Sequence, residues 1–402
     1  MFCDTVVYRE IAGDKMSLND HGVAIMHRYG VEIKKQSIDE RFNPSAVSLL
    51  KELLKRQLES QLAGALGRKG LGPLLKRFSA VKIKDSTRFQ VPDNLKDVYP
   101  GAGGGSSEAG VHVQFEFDLL SGKTCDLSFT DAKYQDNTDA KATLKSIQSG
   151  ELILRDLGYF SFQALEHIDD HGAYFITRRP STMVLFHPGS DKRINYNVLN
   201  KQLRHSGADV MDLPVCTTQG YSMRLIVERL PKKQFAERMA KAKEAARRKG
   251  RKITDAYKSR ARLNMFLTNI PAEWIEAKQV RKIYGLRWQI ELCFKAWKSF
   301  YHLNAHKLMK QHRFECYLYG TLLLVMINWE IATGFSGILQ KYHGRPLSIL
   351  KFFKATSQTI CWLSQAMRKG RDKLFNYLTS LYMASKNLLV EERKGPQIKI
   401  VK

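Results

Sequence analysis

The sequence has few acidic residues, few cysteines and no long apolar run, and each shortage excludes a class of protein. Only 39 of the 402 residues are Asp or Glu, against 65 Lys and Arg, so the formal net charge is +26. The six cysteines are scattered and form no C-x-x-C pair, which argues against a zinc site and fits a reducing compartment. No basic segment followed by an apolar core opens the chain, so we expect no secretory signal.

Two further absences concern membranes and nucleotides. The most apolar run, residues 317–328 (YLYGTLLLVMIN), is too short to span a bilayer and predicts a buried helix in a large core. The glycine-rich stretch at residues 101–107 lacks the Lys-Ser/Thr of a P-loop, so nucleotide binding is not predicted. We therefore expect no membrane contact and a cytoplasmic protein.

The excess of positive charge is the clearest positive signal. It favours a polyanionic partner, with nucleic acid first and an anionic membrane surface second. Residues 231–262 hold 13 Lys and Arg against 3 acidic residues and predict one long basic helix. Such a helix contacts phosphates or is simply solvated, and the charge favours phosphate contact. Hydrophobic residues make up 44% of the chain, which predicts a folded protein.

Hydrophobic periodicity divides the chain into five regions. Residues 1–77 are predicted to be a helical domain, which fits either a helix-turn-helix DNA reader or a small packing bundle. Residues 78–179 give the order β-β-β-α-β-α-β, an α/β pattern with helices on a mixed sheet. Residues 180–270 are β-rich with the basic helix, residues 271–310 return to helix, and residues 311–402 are helical, with dimerisation as a possible role.

Residues 283–300 (IYGLRWQIELCFKAWKSF) are predicted to form one amphipathic helix. At about 100° per residue, four polar residues fall in one stripe roughly 60° wide: Tyr284, Arg287, Glu291 and Lys298. Such a stripe is usually just solvated. Here, however, a carboxylate lies among cations, so it can bind a metal ion while its neighbours hold phosphates. Asp85 and Asp156, both expected at strand ends, would complete an oxygen-rich site suited to Mg²⁺ or Mn²⁺.

The spacing Tyr284-x2-Arg287-x3-Glu291-x6-Lys298 matches the Y-(2)-R-(3)-E-(6)-K signature, and the chain thereby resembles the insertion-sequence-4 family of bacterial DDE transposases. Asp85, followed by Ser-Thr, resembles the first catalytic aspartate of that family. Asp156, followed by Leu-Gly-Tyr, resembles the second. The resemblance covers residues 75–305 well and the flanks weakly.

The resemblance implies an RNase H-like catalytic core with a β-rich insertion, an N-terminal helical DNA-binding domain and a helical C-terminal region. It implies that Asp85, Asp156 and Glu291 bind two Mg²⁺ or Mn²⁺ ions, and that Tyr284, Arg287 and Lys298 bind DNA. The expected reaction is metal-dependent cleavage at transposon ends followed by strand transfer. The expected partners are the terminal inverted repeats, target DNA and a second copy in a synaptic homodimer at the nucleoid.

Two other functions stay open at this point. One is an RNase H-like nuclease without strand transfer, and the other is a catalytically silent DNA-binding remnant of a transposase. Some relatives cut the second strand through a DNA hairpin, with an aromatic residue stacking on a flipped base. This chain has Asn264 at the aligned position, so that step is not implied, or it uses another aromatic such as Tyr159 or Trp274.

Overall fold

A computed structural model describes residues 1–9, 17–60, 72–103 and 108–391. Its helices are α1 (Phe2–Val7), α2 (Leu18–Tyr29), α3 (Lys35–Glu40), α4 (Pro44–Glu59), α5 (Gly72–Leu75), α6 (Asp136–Ala142), α7 (Phe162–Asp170), α8 (Tyr196–His205), α9 (Lys232–Arg248), α10 (Asp255–Ala261), α11 (Ala277–Tyr284), α12 (Gln289–Phe300), α13 (Gln311–His343), α14 (Ile349–Gln358), α15 (Ile360–Arg368) and α16 (Arg371–Asn387). Its strands are β1 (Val81–Gln90), β2 (Gly110–Asp118), β3 (Thr124–Asp131), β4 (Leu152–Arg155), β5 (Tyr174–Arg178), β6 (Val210–Cys216), β7 (Ser222–Arg229) and β8 (Leu263–Thr268). The mixed α/β fold expected from the sequence is confirmed, and the chain divides into two compact units.

Unit 1 comprises Met1–Pro73, Lys82–Gln135 and Trp288–Lys402. Its strands β1, β2 and β3, the three consecutive strands predicted at the start of residues 78–179, pair antiparallel and form a meander. The aromatic residues of β2 face a helical layer: Phe115 lies 4.7 Å from Trp297 of α12 and 5.9 Å from Trp329 of α13, measured between ring centroids. The period-two pattern of β2 therefore places one row of side chains under α12 and α13.

Helix α13 is the central helix of unit 1. It has 33 residues and is long and apolar enough to cross a membrane, but 61% of its most apolar window is buried inside the protein. The buried helix predicted from the apolar run 317–328 is confirmed, and it extends beyond that run at both ends. Helices α1 and α4 pack against α13. The lack of a side chain at Gly320 lets Val6 of α1 approach, since an added Cβ would lie 3.0 Å from it.

Unit 2 comprises Leu74–Val81 and Asp136–Arg287. Its strands lie in the order β4-β5-β8-β7-β6, with β4 and β5 parallel and the other pairs antiparallel. One side of this sheet, the core face, carries Phe175, Leu225 and Leu267 and is covered by apolar residues that include Leu165 of α7 and Leu203 of α8. The other side is called the α11 face, because α11 packs on it.

Several predicted elements of unit 2 need correction. The region predicted to be β-rich, residues 180–270, contains strands β6, β7 and β8. It also contains the unpredicted helix α8, and residues 182–188 form only isolated bridges at Phe186. The single basic helix predicted over residues 231–262 is two helices, α9 and α10. It breaks at Gly250, which adopts a positive φ of 61°, and restarts where the Thr254 hydroxyl accepts the Tyr257 N–H. The glycine-rich stretch 101–107 lies partly outside the described residues.

Candidate active site

The sequence predicts Asp85 at the end of a strand, but the residue lies in the middle of β1. The strand continues to Gln90 because the buried Thr87 and Phe89 extend the period-two pattern. The Asp85 carboxylate is half-buried, and its Oδ1 accepts the Ser86 N–H at 2.8 Å. Asp85 is the cross-strand partner of Phe115, whose ring packs on α12. Paired residues point to the same side of a sheet, so the Asp85 side chain lies on the side that α12 covers.

Glu291 and Lys298 lie on α12, which belongs to the same unit as Asp85. The Lys298 ammonium donates to the Arg88 carbonyl oxygen on β1 at 3.0 Å, and burial lowers its pKa. Phe294 and Trp297, which lie between Glu291 and Lys298 on α12, both contact Phe115, the cross-strand partner of Asp85. Glu291 is half-buried, as Asp85 is.

Asp156 directly follows β4 in unit 2, where it precedes the 3-10 turn Leu157–Tyr159. Its side chain is 45% exposed, and its Oδ1 lies 4.0 Å from Nε of Arg287. Tyr284 is buried, and its hydroxyl donates to the Arg155 carbonyl oxygen at 3.5 Å. Burial raises the pKa of Tyr284 to about 12, although the nearby Arg287 charge opposes the shift. Tyr284 therefore keeps its hydroxyl proton at neutral pH and remains a hydrogen-bond donor.

The single helix predicted over residues 283–300 is wrong. α11 ends at Tyr284, a 3-10 turn covers Gly285–Trp288, and α12 starts at Gln289. Glycine favours helix poorly, and a 3-10 turn advances about 120° per residue instead of about 100°, so the two helical ends fall out of phase. The stripe of four polar residues is therefore not continuous, although Glu291 and Lys298 still share one side of α12.

The 3-10 turn also divides the four signature residues between the units. Tyr284 and Arg287 belong to unit 2, and Glu291 and Lys298 belong to unit 1. Trp288, the last residue of the 3-10 turn, is 58% exposed, which excludes a role in core packing.

The donor chemistry of the three predicted carboxylates fits a hard divalent ion, because Mg²⁺ and Mn²⁺ prefer oxygen ligands. Within the described ranges, no three His, Cys, Asp or Glu residues are grouped closely enough to form a metal site by themselves. The ligand set Asp85, Asp156 and Glu291 therefore remains a prediction carried by the sequence pattern and by the placement of each residue.

The basic helix α9 presents its charge to solvent. None of its residues is buried. It is attached to the sheet by Arg238, which donates to the carbonyl oxygens of Ala261 and Leu263 and to the Asn264 side chain at 2.7 Å. The position aligned with the stacking aromatic of some relatives thus carries an amide engaged by an arginine. Tyr159 and Trp274 are the other aromatic residues considered for stacking on a flipped base. Tyr159 is buried, and the Trp274 ring packs against Tyr174.

Residues 76–327 match the family described as transposase DDE domain. The chain is similar to the transposase for insertion sequence element IS231F of Bacillus thuringiensis subsp. israelensis, with 32% identity over 74% of this chain and 65% of the relative. It is 29% identical to the IS231E transposase of Bacillus thuringiensis subsp. finitimus, over 88% of this chain and 77% of the relative. The IS1151 transposase of Clostridium perfringens is 26% identical, over 91% and 80% of the two lengths.

One solved structure, of a piggyBac transposase synaptic complex with hairpin DNA, matches 98% of this chain and 86% of its own chain. The TM-score is 0.41 and the identity 11%, a likeness too distant to bear on mechanism. The matched segment spans just under two thirds of the IS231F relative and more of the IS231E and IS1151 relatives.

Proposed function

We propose, from the premise that this chain belongs to the transposase DDE domain family, that it is a DNA transposase which cuts the ends of its own element and joins them to target DNA. The finer assignment is to the insertion-sequence-4 family, with an RNase H-like core interrupted by a β-rich insertion at residues 180–270. The observation that carries the proposal is the spacing Tyr284-x2-Arg287-x3-Glu291-x6-Lys298 within the matched family region.

The placement of Asp85 and Glu291 supports the proposed site. Asp85 lies on the side of the sheet that α12 covers, and Lys298 ties α12 to the same strand at Arg88. Asp156 follows a separate strand, with Arg287 4.0 Å away. We assign Asp85, Asp156 and Glu291 as ligands for two Mg²⁺ or Mn²⁺ ions. When bound, such ions lower the pKa of water and stabilise the leaving oxygen in phosphoryl transfer.

The other signature residues hold the DNA backbone. Arg287 offers a planar group that can donate two hydrogen bonds to a phosphate, and Lys298 offers a point charge. The Tyr284 hydroxyl stays protonated, and it would donate to a phosphate by exchanging its long 3.5 Å hydrogen bond to the Arg155 carbonyl oxygen. Holding the scissile phosphate in line with the attacking oxygen converts a bimolecular reaction into a local one, which is the main contribution these side chains make.

The proposal extends to partners and regions. The substrates are the terminal inverted repeats of the element and target DNA, and the enzyme works as a homodimer that pairs two ends at the nucleoid in the cytoplasm. Residues 1–77 read DNA, and residues 311–402 support dimerisation. Residues 78–179 and 271–310 form the two parts of the catalytic core.

The decisive experiment supplies purified protein with Mg²⁺, a supercoiled plasmid and a duplex that carries the element end in either an intact or a pre-cleaved form. A transposase gives plasmid joined to the duplex, whereas a nuclease without strand transfer gives no joined product and a silent remnant gives no cleavage of intact ends. We expect Asp85→Asn, Asp156→Asn and Glu291→Gln each to lower cleavage and joining on the order of a thousandfold while DNA binding persists.

The matched control is Asp131→Asn, the same chemical change on β3, where the carboxylate accepts the Lys133 N–H at the end of the meander. This variant should keep activity within a few-fold of the wild-type protein. Full activity in any of the three ligand variants would refute the assignment of that residue.

A further inference from the structure

Arg178 is an exposed cation that neither the sequence pattern nor the signature singled out. It is the last residue of β5, and its guanidinium makes no hydrogen bond or ion pair with any residue in the described part of the chain. The next residue, Arg179, is different: it is buried, lies over the Tyr196 ring and donates to the Met183 carbonyl oxygen. Successive strand residues point to opposite faces, so Arg178 lies on the α11 face of the unit 2 sheet.

The register of the sheet places Arg178 beside Asp156. In the parallel pair β4–β5, Leu154 is opposite Ile176, and two residues further along each chain stand Asp156 and Arg178. Neighbouring strands are about 5 Å apart, so the two positions are adjacent on one face. On the other side of Arg178 its cross-strand partner is Phe266, whose ring lies 5.3 Å from that of Tyr284.

The same face continues to the basic helix. Asn264 lies two residues before Phe266 on β8 and therefore on the same face of the sheet. Its side chain accepts a hydrogen bond from Arg238 of α9. The pKa of Arg238 lies below its ordinary value, chiefly because the side chain is partly buried and next because the Arg178 charge is close. Arg178 therefore stands between the Asp156–Arg287 pair and the point where α9 is attached.

The charges on this face do not balance. Arg281 pairs with Glu228 at 3.3 Å, and Arg287 lies 4.0 Å from Asp156. Arg238 has only neutral acceptors, and Arg178 has none among the described residues. The Arg178 charge repels that of Arg238, and a polyanion bound across the two guanidinium groups would relieve this repulsion. An Arg178 that served only to orient Asp156 would form an ion pair with it, and the ion pair is made by Arg287 instead.

We propose that Arg178 binds a backbone phosphate of the DNA strand that passes Asp156, and that this strand continues over Arg238 towards α9. The inference rests on the proposed function and adds to it a phosphate-binding residue and a path for the substrate. Arg178 acts on binding and on the alignment of the strand, and it takes no part in proton transfer or metal binding.

The test measures binding of a short mixed-sequence duplex and of the element end by fluorescence anisotropy at several salt concentrations, with Ca²⁺ in place of Mg²⁺. For Arg178→Ala we expect affinity to fall several-fold for both duplexes, and the slope of log affinity against log salt to lessen by about 1, as for one lost phosphate contact. Arg178→Lys should restore the slope. Thermal unfolding should not change, since the side chain is exposed.

Arg204→Ala is the control, because Arg204 is exposed on α8, which packs on the opposite face of the same sheet, and the change removes the same charge. It should leave both slope and affinity near the wild-type values. The inference is overturned if Arg178→Ala keeps the wild-type slope, or if Arg204→Ala lowers it equally. A wild-type protein that cleaves element ends while Arg178→Ala binds normally refutes only this inference, whereas a wild-type protein that neither binds nor cleaves refutes the proposed function as well.

Discussion

Helices α13 and α9 are both long and regular, but they are stabilised in opposite ways. α13 has 18 buried residues, and Leu322 and Phe314 on it are fully buried. α9 has no buried residue, and it is attached to the sheet through Arg238. A helix whose stability comes from tertiary packing tolerates few changes, whereas the exposed charges of α9 contribute little to folding and are available to a ligand.

The largest effect should follow from a cavity in α13. Leu322→Ala removes a fully buried side chain and should lower the free energy of unfolding by about 2–5 kcal/mol, measured by denaturant titration. Ile338→Ala on the same helix is the control, because that side chain is 41% exposed and should cost less than about 1 kcal/mol. Equal losses in the two variants would contradict the assignment of α13 as a core helix.

The second prediction concerns the start of α13, where buried His21 of α2 hydrogen-bonds to the Tyr317 hydroxyl at 2.8 Å. Burial, together with the charges of Arg9, Arg28 and Arg313, lowers the pKa of His21 to about 4. As pH falls, His21 therefore binds a proton in the unfolded chain before it does so in the folded protein. The stability that neutral His21 contributes is fully present above its ordinary pKa, and it is lost as pH falls from there towards the pKa of the folded protein.

Between pH 6.5 and pH 5 this loss should amount to about 2 kcal/mol. It can be measured as the difference in pH dependence of unfolding between wild type and His21→Gln, whose amide can still bond to Tyr317. Parallel curves for the two proteins would contradict the prediction.

On α9 the expected effect is on DNA affinity instead of stability. Replacing exposed Lys243 and Arg247 by alanine should weaken duplex binding about tenfold and reduce the salt slope by up to about 2, with an unchanged melting temperature. Alanine at exposed Lys369, which follows α15, and at exposed Lys373, on α16, is the charge-matched control. Should both pairs weaken binding equally, net charge alone would explain the affinity and α9 would have no special part.

The smallest effect should come from the surface ion pair of α9. Glu244→Ala removes the partner of Arg248, which lies 3.1 Å away four residues on. Both side chains are mostly exposed, so unfolding should become easier by no more than about 0.5 kcal/mol. A loss as large as that of Leu322→Ala would show that α9 is built into the folded core after all.

Much of the secondary structure could be predicted from the chain. The strand order within residues 78–179 and the position of Asp156 at a strand end each depend on neighbours in sequence, so local pattern was sufficient. The errors arose where a single residue changes the backbone course. Gly285 and Gly250 each interrupt a helix that hydrophobic or charged periodicity had predicted to be continuous, and periodicity does not register such a break.

The candidate site likewise has features that the sequence predicts and features that only the folded structure shows. The sequence by itself determined which residues to consider, because four residue types at fixed spacing and two aspartates in matching contexts need no coordinates to be recognised. Only the tertiary structure decided that Asp85 lies on the side of the sheet that α12 covers, that Tyr284 is buried, and that the register of β4 and β5 directs Arg178 towards Asp156. These facts depend on strand register and on packing between segments far apart in the chain, which residue spacing does not encode.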